Sequence, residues 1–501
     1  MILKIKDLFR FLRSNGVFTA LNIAGLAFGF ACAMLIILHV SKEYSYNSQI
    51  PDSERVFQLV QKSPDSPLGN TTISYELTPL LAGRFPEIEC AARTENFSQF
   101  SSCIVSLQSS SDSTIKSFNE TSFCLADRSL FEIIRYPFTE GSPENALKEL
   151  NAVVLSKETA EKYFGNTSAL GKTLTLKRDK VFKVTGVVDI PDYVTFKFSV
   201  LAPLNTLRSE SYLQGWDSNG EPYFKLKKHV DYREFNKKIE HFYSEFRPEQ
   251  VRFPEQLTLS LIPLTERRLY FNKNPLYLVV FIGFVVLGVS ILNYINMSTS
   301  FVQKRSSEIA LKKISGANRT AIGLQFLQET ALICFLAIVA GIALTWFAMS
   351  LFKALSGSDV LPFFKSHVRL FIMSSLILWI TGTVLTGFYP AVVLSGVKPL
   401  TLLGKTDRPQ IKLSGKSGII TFQFVISIML VIITLMIGRQ YNYMEKLPLG
   451  FDNELVMQIP FSDALKNNYT SLKDELEKIP SVRDACRHTK PFGCKLDQRS
   501  G

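Results

Sequence analysis

Apolar residues in this chain gather into five long runs, at roughly 17–40, 276–302, 322–352, 369–393 and 418–438. A helix needs about 20 apolar residues to cross a bilayer, and each run meets that length. Five such runs carry too much apolar surface for a soluble core, so each predicts a membrane-spanning helix. The first is not a cleaved signal sequence. Its apolar part is about 24 residues, against roughly 7–15 for a signal core, and no small-x-small cleavage site follows it. It predicts a retained anchor.

Between the first two runs the pattern changes. Segment 41–275 carries alternating or β-branched stretches at Val56–Val60, Ala152–Leu155, Leu174–Lys177, Phe182–Val188, Thr195–Leu201, Tyr223–Lys227 and Leu257–Leu264. These read as strands. Ser156 is placed to cap a helix running through Phe164, where Gly165 stops it. A second helix ends at Phe85, before Pro86. The fold class is therefore an α-helical integral membrane protein of about five spans with a large α+β extracytoplasmic domain.

The basic residues assign the sides. The three short segments 1–16, 303–321 and 394–417 carry net charges of +3, +4 and +4, which is +11 of the chain's formal +12. They fall on every second connection, as the positive-inside rule requires. The expected order is a cytoplasmic N-terminus (1–16), the first span, an external domain (41–275) and the second span. A cytoplasmic segment (303–321), the third span, an external loop (353–368) and the fourth span follow. A cytoplasmic linker (394–417), the fifth span and an external tail (439–501) complete it. Because the excess charge follows topology, no nucleic-acid partner is expected.

Composition removes several other classes. The chain has only 5 histidines among 501 residues, with no HExxH or CxxC, so no metal site is expected. Gly165 and Gly171, before Lys172 and Thr173, have five residues between them where a phosphate loop has four. Gly415-Lys416-Ser417 has Gln410 where that motif needs glycine. No nucleotide site is assigned to the chain itself, and no catalytic residues are assigned, because no GxSxG-type signature gathers the candidates. His229 and His241 read as surface residues. One disulfide among Cys90, Cys103, Cys124, Cys486 and Cys494 is open, its pairing not readable. Cys32 and Cys334 fall in spans and read as packing residues.

The candidate chemistry lies around the second span. Asn293 and Asn296 are three residues apart and share a helix face, where interhelical hydrogen bonding is expected. The helical pattern continues past the apolar run, and Glu308 is spaced to pair with Arg305 and Lys312. Gly316 then supplies the positive φ of a helix stop. The pattern predicts a rod that leaves the membrane, turns at Gly316 and returns as the third span, a geometry suited to a soluble partner. In the first span, Gly25-x-x-x-Gly29 is a small-residue face for close helix approach.

The segment "NYINMSTSFVQKRSSEIALKKISGA" (293–317) resembles the signature of MacB/FtsX-like permeases of ABC transporters, and "GFYPAVVLSGVKPLTLLG" (387–404) is similar to the motif after that family's fourth span. Residues 126–176 and 184–191 resemble its MacB-type external domain. The resemblance implies that Arg305, Glu308, Ile309, Lys312, Lys313 and Gly316 form the contact with an ABC ATPase, and that Tyr389, Pro390 and Ala391 belong to the post-span motif. It implies no directly bound cofactor, since ATP and Mg are used by the partner ATPase. A periplasmic adaptor, an outer-membrane channel and a homodimer or second permease half are further partners it suggests. The expected location is the bacterial inner membrane. Two roles follow: an exporter or extractor driven by mechanotransmission, or an FtsX-like transducer acting on a cell-wall hydrolase.

An internal repeat extends this reading. "HVSKEYSYN" (39–47) aligns with "IGRQYNYME" (437–445), and 75–93 parallels 469–487. A second module would then begin near Ser414, as duplicated modules do in transport proteins. On this expectation the chain ends part-way through that module, as a truncated permease or half of a split one.

Overall fold

The computed structural model describes residues 16–96, 103–108, 115–176, 180–207, 213, 216, 219–242, 257–304, 311–396, 416–447, 457 and 468–486. The chain divides into two units. One comprises Met1–Tyr46 and Thr265–Leu449, the other Asn47–Leu264 and Gly450–Gly501. The described helices of eight residues or more are α1 (Gly16–Tyr44), α2 (Leu77–Arg84), α3 (Lys157–Phe164), α4 (Tyr232–Glu240), α5 (Arg267–Lys304), α6 (Arg319–Ser356), α7 (Val368–Gly396), α8 (Lys416–Glu445) and α9 (Tyr469–Glu477).

Helices α1, α5, α6, α7 and α8 are long and apolar enough to cross a membrane. Their outward faces are bare: Phe284 and Phe347 are each 76% exposed. Patches of that kind suit hydrocarbon and not water. All five helices extend past the apolar segments that predicted them, and at two ends this takes in charged residues of the predicted external domain. α1 continues to Tyr44 and α5 begins at Arg267, through Pro275. The charged residues Lys42, Glu43, Arg267 and Arg268 are therefore helical, which hydropathy alone had placed in the external domain.

The second unit is built on one sheet. Its strands are β1 (Val56–Ser63), β2 (Ser66–Asn70), β3 (Ile73–Ser74), β4 (Ile88–Asn96), β5 (Cys103–Gln108), β6 (Ile115–Glu120) and β7 (Phe123–Ala126). After these come β8 (Phe138–Gly141), β9 (Ala152–Ser156), β10 (Thr173–Leu176), β11 (Lys180–Val188), β12 (Val200–Pro203), β13 (Asn219–Leu226) and β14 (Thr258–Pro263). The order is β14-β1-β13-β4-β7-β12-β9-β11-β10-β5-β6, with β2, β3 and β8 attached at the side. The sheet is mixed: β9 with β11 and β7 with β12 are parallel. Both faces are covered. In β9, Val153 and Leu155 enter one apolar cluster while Val154 enters another. That explains why this strand reads as an unbroken apolar run.

Local rules account for several elements. Ser156 caps α3 by accepting from the Thr159 amide, and Gly165 follows at φ 62°. Asp231 caps α4 through the Arg233 amide. The predicted strand over Thr195–Leu201 is shorter than expected, since only Val200–Pro203 joins the sheet. Val194, Phe196 and Phe198 alternate as a strand would and are all buried. Their backbone instead bonds single partners: the Thr195 amide donates to Asn47 Oδ1 at 2.7 Å, and the Ser199 amide to Ser122 O at 2.9 Å.

Asn47 is fully buried and sits at φ 61°. Its Nδ2 donates to Thr195 Oγ1 and to Leu264 O, each at 2.7 Å. The first residue of the unit is thus tied to Leu264, which follows β14.

Cys90, Cys124 and Cys486 are free thiols. Cys494 and the Cys103 side chain lie outside the described residues. Burial, with Glu221 and Glu95 adding, pushes the Cys124 thiol up to about 12, and burial with Glu132 pushes Cys90 up to about 11. The thiolate is the reactive form. Iodoacetamide at pH 8 is expected to label exposed Cys486 at least about tenfold faster than Cys124, read by peptide mass spectrometry. Equal rates would mean that β7 opens in solution.

Candidate functional site

The described residues just before α6, 311–318, form a tightly capped turn. Residues 311–314 are helical. The Gly316 amide then donates to Lys313 O at 3.1 Å and the Ala317 amide to Lys312 O at 3.0 Å. With Gly316 at φ 93°, this is the paired-bond stop in which a glycine takes the left-handed position. Two residues later Asn318 starts α6: its side chain accepts from the Ala321 amide at 2.9 Å. One helix end and one helix start are closed within seven residues, 312–318, which leaves the segment little freedom.

The turn rests on an apolar seat. Ile322, Phe326 and Ala391 are buried together, with Ala317 against them. The structure therefore brings Ala391, from the motif after the fourth span, to the foot of the turn. Lys312 reaches back from the turn and donates Nζ to Gln325 Oε1 at 3.2 Å. Lys313 lies half-buried; burial first, then Arg319, lowers its pKa. Arg305, Glu308 and Ile309 lie outside the described residues. Tyr389 and Pro390 are in the helical backbone of α7, and their side chains are outside the description.

Behind the turn, α1 packs against α5, α6 and α7. Small residues allow the approach. An ideal Cβ on Gly29 would stand 2.5 Å from Ser290 Oγ, one on Gly25 would stand 3.6 Å from Asn293 Nδ2, and one on Gly382 would stand 2.7 Å from the Phe30 ring. The Gly25/Gly29 face is thus used inside the chain, against α5. Without a hydrophobic drive between helices in lipid, such close backbone packing and cross-helix hydrogen bonds supply the association. Asn296 donates Nδ2 to Gln423 Oε1 of α8 at 3.0 Å. Asn293 and Asn296 therefore serve two interfaces, one toward α1 and one toward α8.

Two features escaped the sequence reading. One is Glu329, a carboxylate only 6% exposed within the apolar run of α6. Its signal was visible as the one acidic residue inside 322–352, but averaging over the run concealed it. The other is a pair of ties at the far end of α1. Glu43 receives Arg268 Nε at 2.6 Å and Nη2 at 3.2 Å, and the guanidinium lies 4.3 Å from the Tyr46 ring centroid. Lys42 donates to Asp359 O at 2.8 Å and Ser358 Oγ at 3.0 Å. Neighbouring residues thus hold α1 to α5 and to the loop before α7. Among the described residues no group of three or more His, Cys, Asp or Glu could hold a metal.

Five apolar spans, with an α+β unit inserted between the first and second and a capped turn between the second and third, define a multi-pass membrane protein with a large domain outside the bilayer. Comparison with known proteins gives the family. A model of the MacB-like periplasmic core domain matches residues 19–242, and one of the FtsX-like permease C-terminal domain matches residues 280–399. The macrolide export ATP-binding/permease protein MacB of Pasteurella multocida is 26% identical over 257 residues, covering 50% of this chain and 37% of that protein. Its namesake in Campylobacter jejuni is 30% identical over 124 residues, covering 25% of this chain and 18% of that one. The matched chain thus spans well under half the length of these relatives. The periplasmic region of MacB from Actinobacillus actinomycetemcomitans is 15% identical with a TM-score of 0.32, over 44% of this chain and 94% of that structure. This chain belongs to the MacB/FtsX-like family of ABC transporter permeases, an inner-membrane family whose members work with ABC ATPases.

Proposed function

We propose that this protein is the membrane subunit through which a partner ABC ATPase moves the α+β unit on the opposite side of the membrane, to export or extract a substrate there. The observation that carries the reading is the turn at Lys312–Asn318. It is rigid because both flanking helix ends are capped, it is basic, and it is seated on α6 and on Ala391 of α7. A segment of that kind passes a displacement to the helices it joins instead of absorbing it. The charge pattern supports a cytoplasmic position for the turn and the N-terminus. ATP and Mg would be bound by the ATPase, and a periplasmic adaptor and outer-membrane channel would receive the substrate. The names of the MacB relatives pair ATP binding with permease function, which supports a joint machine.

The test is affinity purification from native membranes in mild detergent, followed by mass spectrometry. A near-stoichiometric ABC ATPase is expected, and Glu308→Ala, which removes the acidic residue of a basic segment, should reduce its recovery at least about fivefold. Unchanged recovery with that variant would remove Glu308 from the contact. Absence of any ATPase with the inserted wild-type chain would overturn the proposed function.

A further inference from the structure

The Glu329 carboxylate stands at the inner end of a line of polar side chains that begins at the turn. Lys312 Nζ donates to Gln325 Oε1 at 3.2 Å, and Gln325 Nε2 donates to Glu329 Oε1 at 3.0 Å. One residue further along α6, Thr330 Oγ1 accepts from Tyr294 OH of α5 at 3.1 Å, and both residues are 4% exposed. The bonded side chains thus run from the turn along α6 to Glu329, and the next residue of the helix, Thr330, is bonded to α5. A carboxylate at membrane depth is costly, and such residues mark functional positions more often than packing ones. Packing does not call for it here, since apolar residues of similar volume replace buried ionic groups without loss in many proteins.

We propose that Glu329 is a positioning residue. It fixes the register of the turn against α5 and α6, so that a displacement of the turn by the ATPase shifts the helix interface and not the turn alone. This rests on the reading of the turn as the ATPase contact. Glu329 touches neither substrate nor nucleotide; it acts through Gln325 and Lys312.

The experiment uses the full chain in the complex recovered with its ATPase, reconstituted in nanodiscs. Hydrogen exchange is followed at the turn (311–318) and in α5 (285–300), without nucleotide and in the vanadate-trapped ATP state. In the wild type both segments should respond to ATP. In Glu329→Leu, which fills the space but accepts no hydrogen bond, the α5 response should fall at least about fivefold while the turn still responds. Glu329→Gln keeps an acceptor for Gln325 and should restore most of the response. Gln325→Leu breaks the line without touching the carboxylate and should reproduce the loss, which keeps the test decisive if Glu329→Leu fails to assemble. A full α5 response in both leucine variants would overturn the proposal, as would failure of Glu329→Gln to restore it. If the wild-type complex holds its ATPase but the turn itself does not respond to ATP, the contact assignment falls, a result distinct from loss of transmission.

Discussion

Replacing Gly29 with leucine is expected to separate α1 from α5 and to destabilise the helical unit. The clash is not with the free end of a flexible side chain. An ideal Cβ meets Ser290 Oγ at 2.5 Å and Ser290 Cβ at 2.7 Å. Since Cβ is held by the backbone, one helix must move. Overpacking of this kind costs about 1–3 kcal/mol, which corresponds to a fall in Tm of roughly 2–12 °C for a unit of this size. Gly288 provides the control: a Cβ there meets nothing within 4 Å. Thermal unfolding of both variants in detergent checks the expectation. A Gly29→Leu protein that melts with the Gly288→Leu control would show that α1 and α5 are not packed on this face.

The second large effect is expected at Asn47. Changing it to alanine removes three side-chain hydrogen bonds at a site with no exposure. The Leu264 carbonyl and the Thr195 amide lose the partner that Asn47 provides. Leaving buried polar groups unpaired costs about 1–3 kcal/mol each, so a loss of about 3 kcal/mol or more is expected in the α+β unit. Alanine also tolerates φ 61° less well than asparagine. Asn47→Gly separates the two causes. It loses the same bonds but relieves the backbone, so it should be more stable than Asn47→Ala by about 1 kcal/mol. Urea unfolding and exchange of the Thr195 amide provide the readouts. If Asn47→Ala unfolds within 1 kcal/mol of the wild type, the asparagine is not the anchor its bonds imply.

The spans were legible because crossing a bilayer imposes a length that hydropathy reveals directly. The turn was legible for a local reason: Gly316 marks a helix stop, whereas the cap that Asn318 gives to α6 emerged only in the structure. What the sequence concealed were partners far apart in the chain. Asn296 stood out on its helix face, but its acceptor Gln423 is 127 residues away. β4 was missed because Arg93 and Glu95 interrupt its apolar pattern. Arg93 is paired with Asp127 through Nε at 2.7 Å, and Glu95 receives Tyr75 OH at 2.8 Å. Charges that are satisfied by distant partners look, in sequence, like loop. Glu329 was hidden for the opposite reason, a single acid averaged away by the apolar residues around it.

The central place of α1 has a consequence for biogenesis. Of the five spans, the one made earliest is the one against which α5, α6 and α7 later pack. Its end at Tyr44 and the start of α5 at Arg267 are separated by 222 residues. At about 5–20 residues per second of synthesis, α1 waits roughly 11–44 seconds for its first partner. During that interval Gly25, Gly29, Asn22 and Thr19 face lipid or a borrowed neighbour, and Glu43 waits for Arg268. Nascent chains arrested after α1 are therefore expected to remain bound to an insertion factor and to leave it only when α5 has been made.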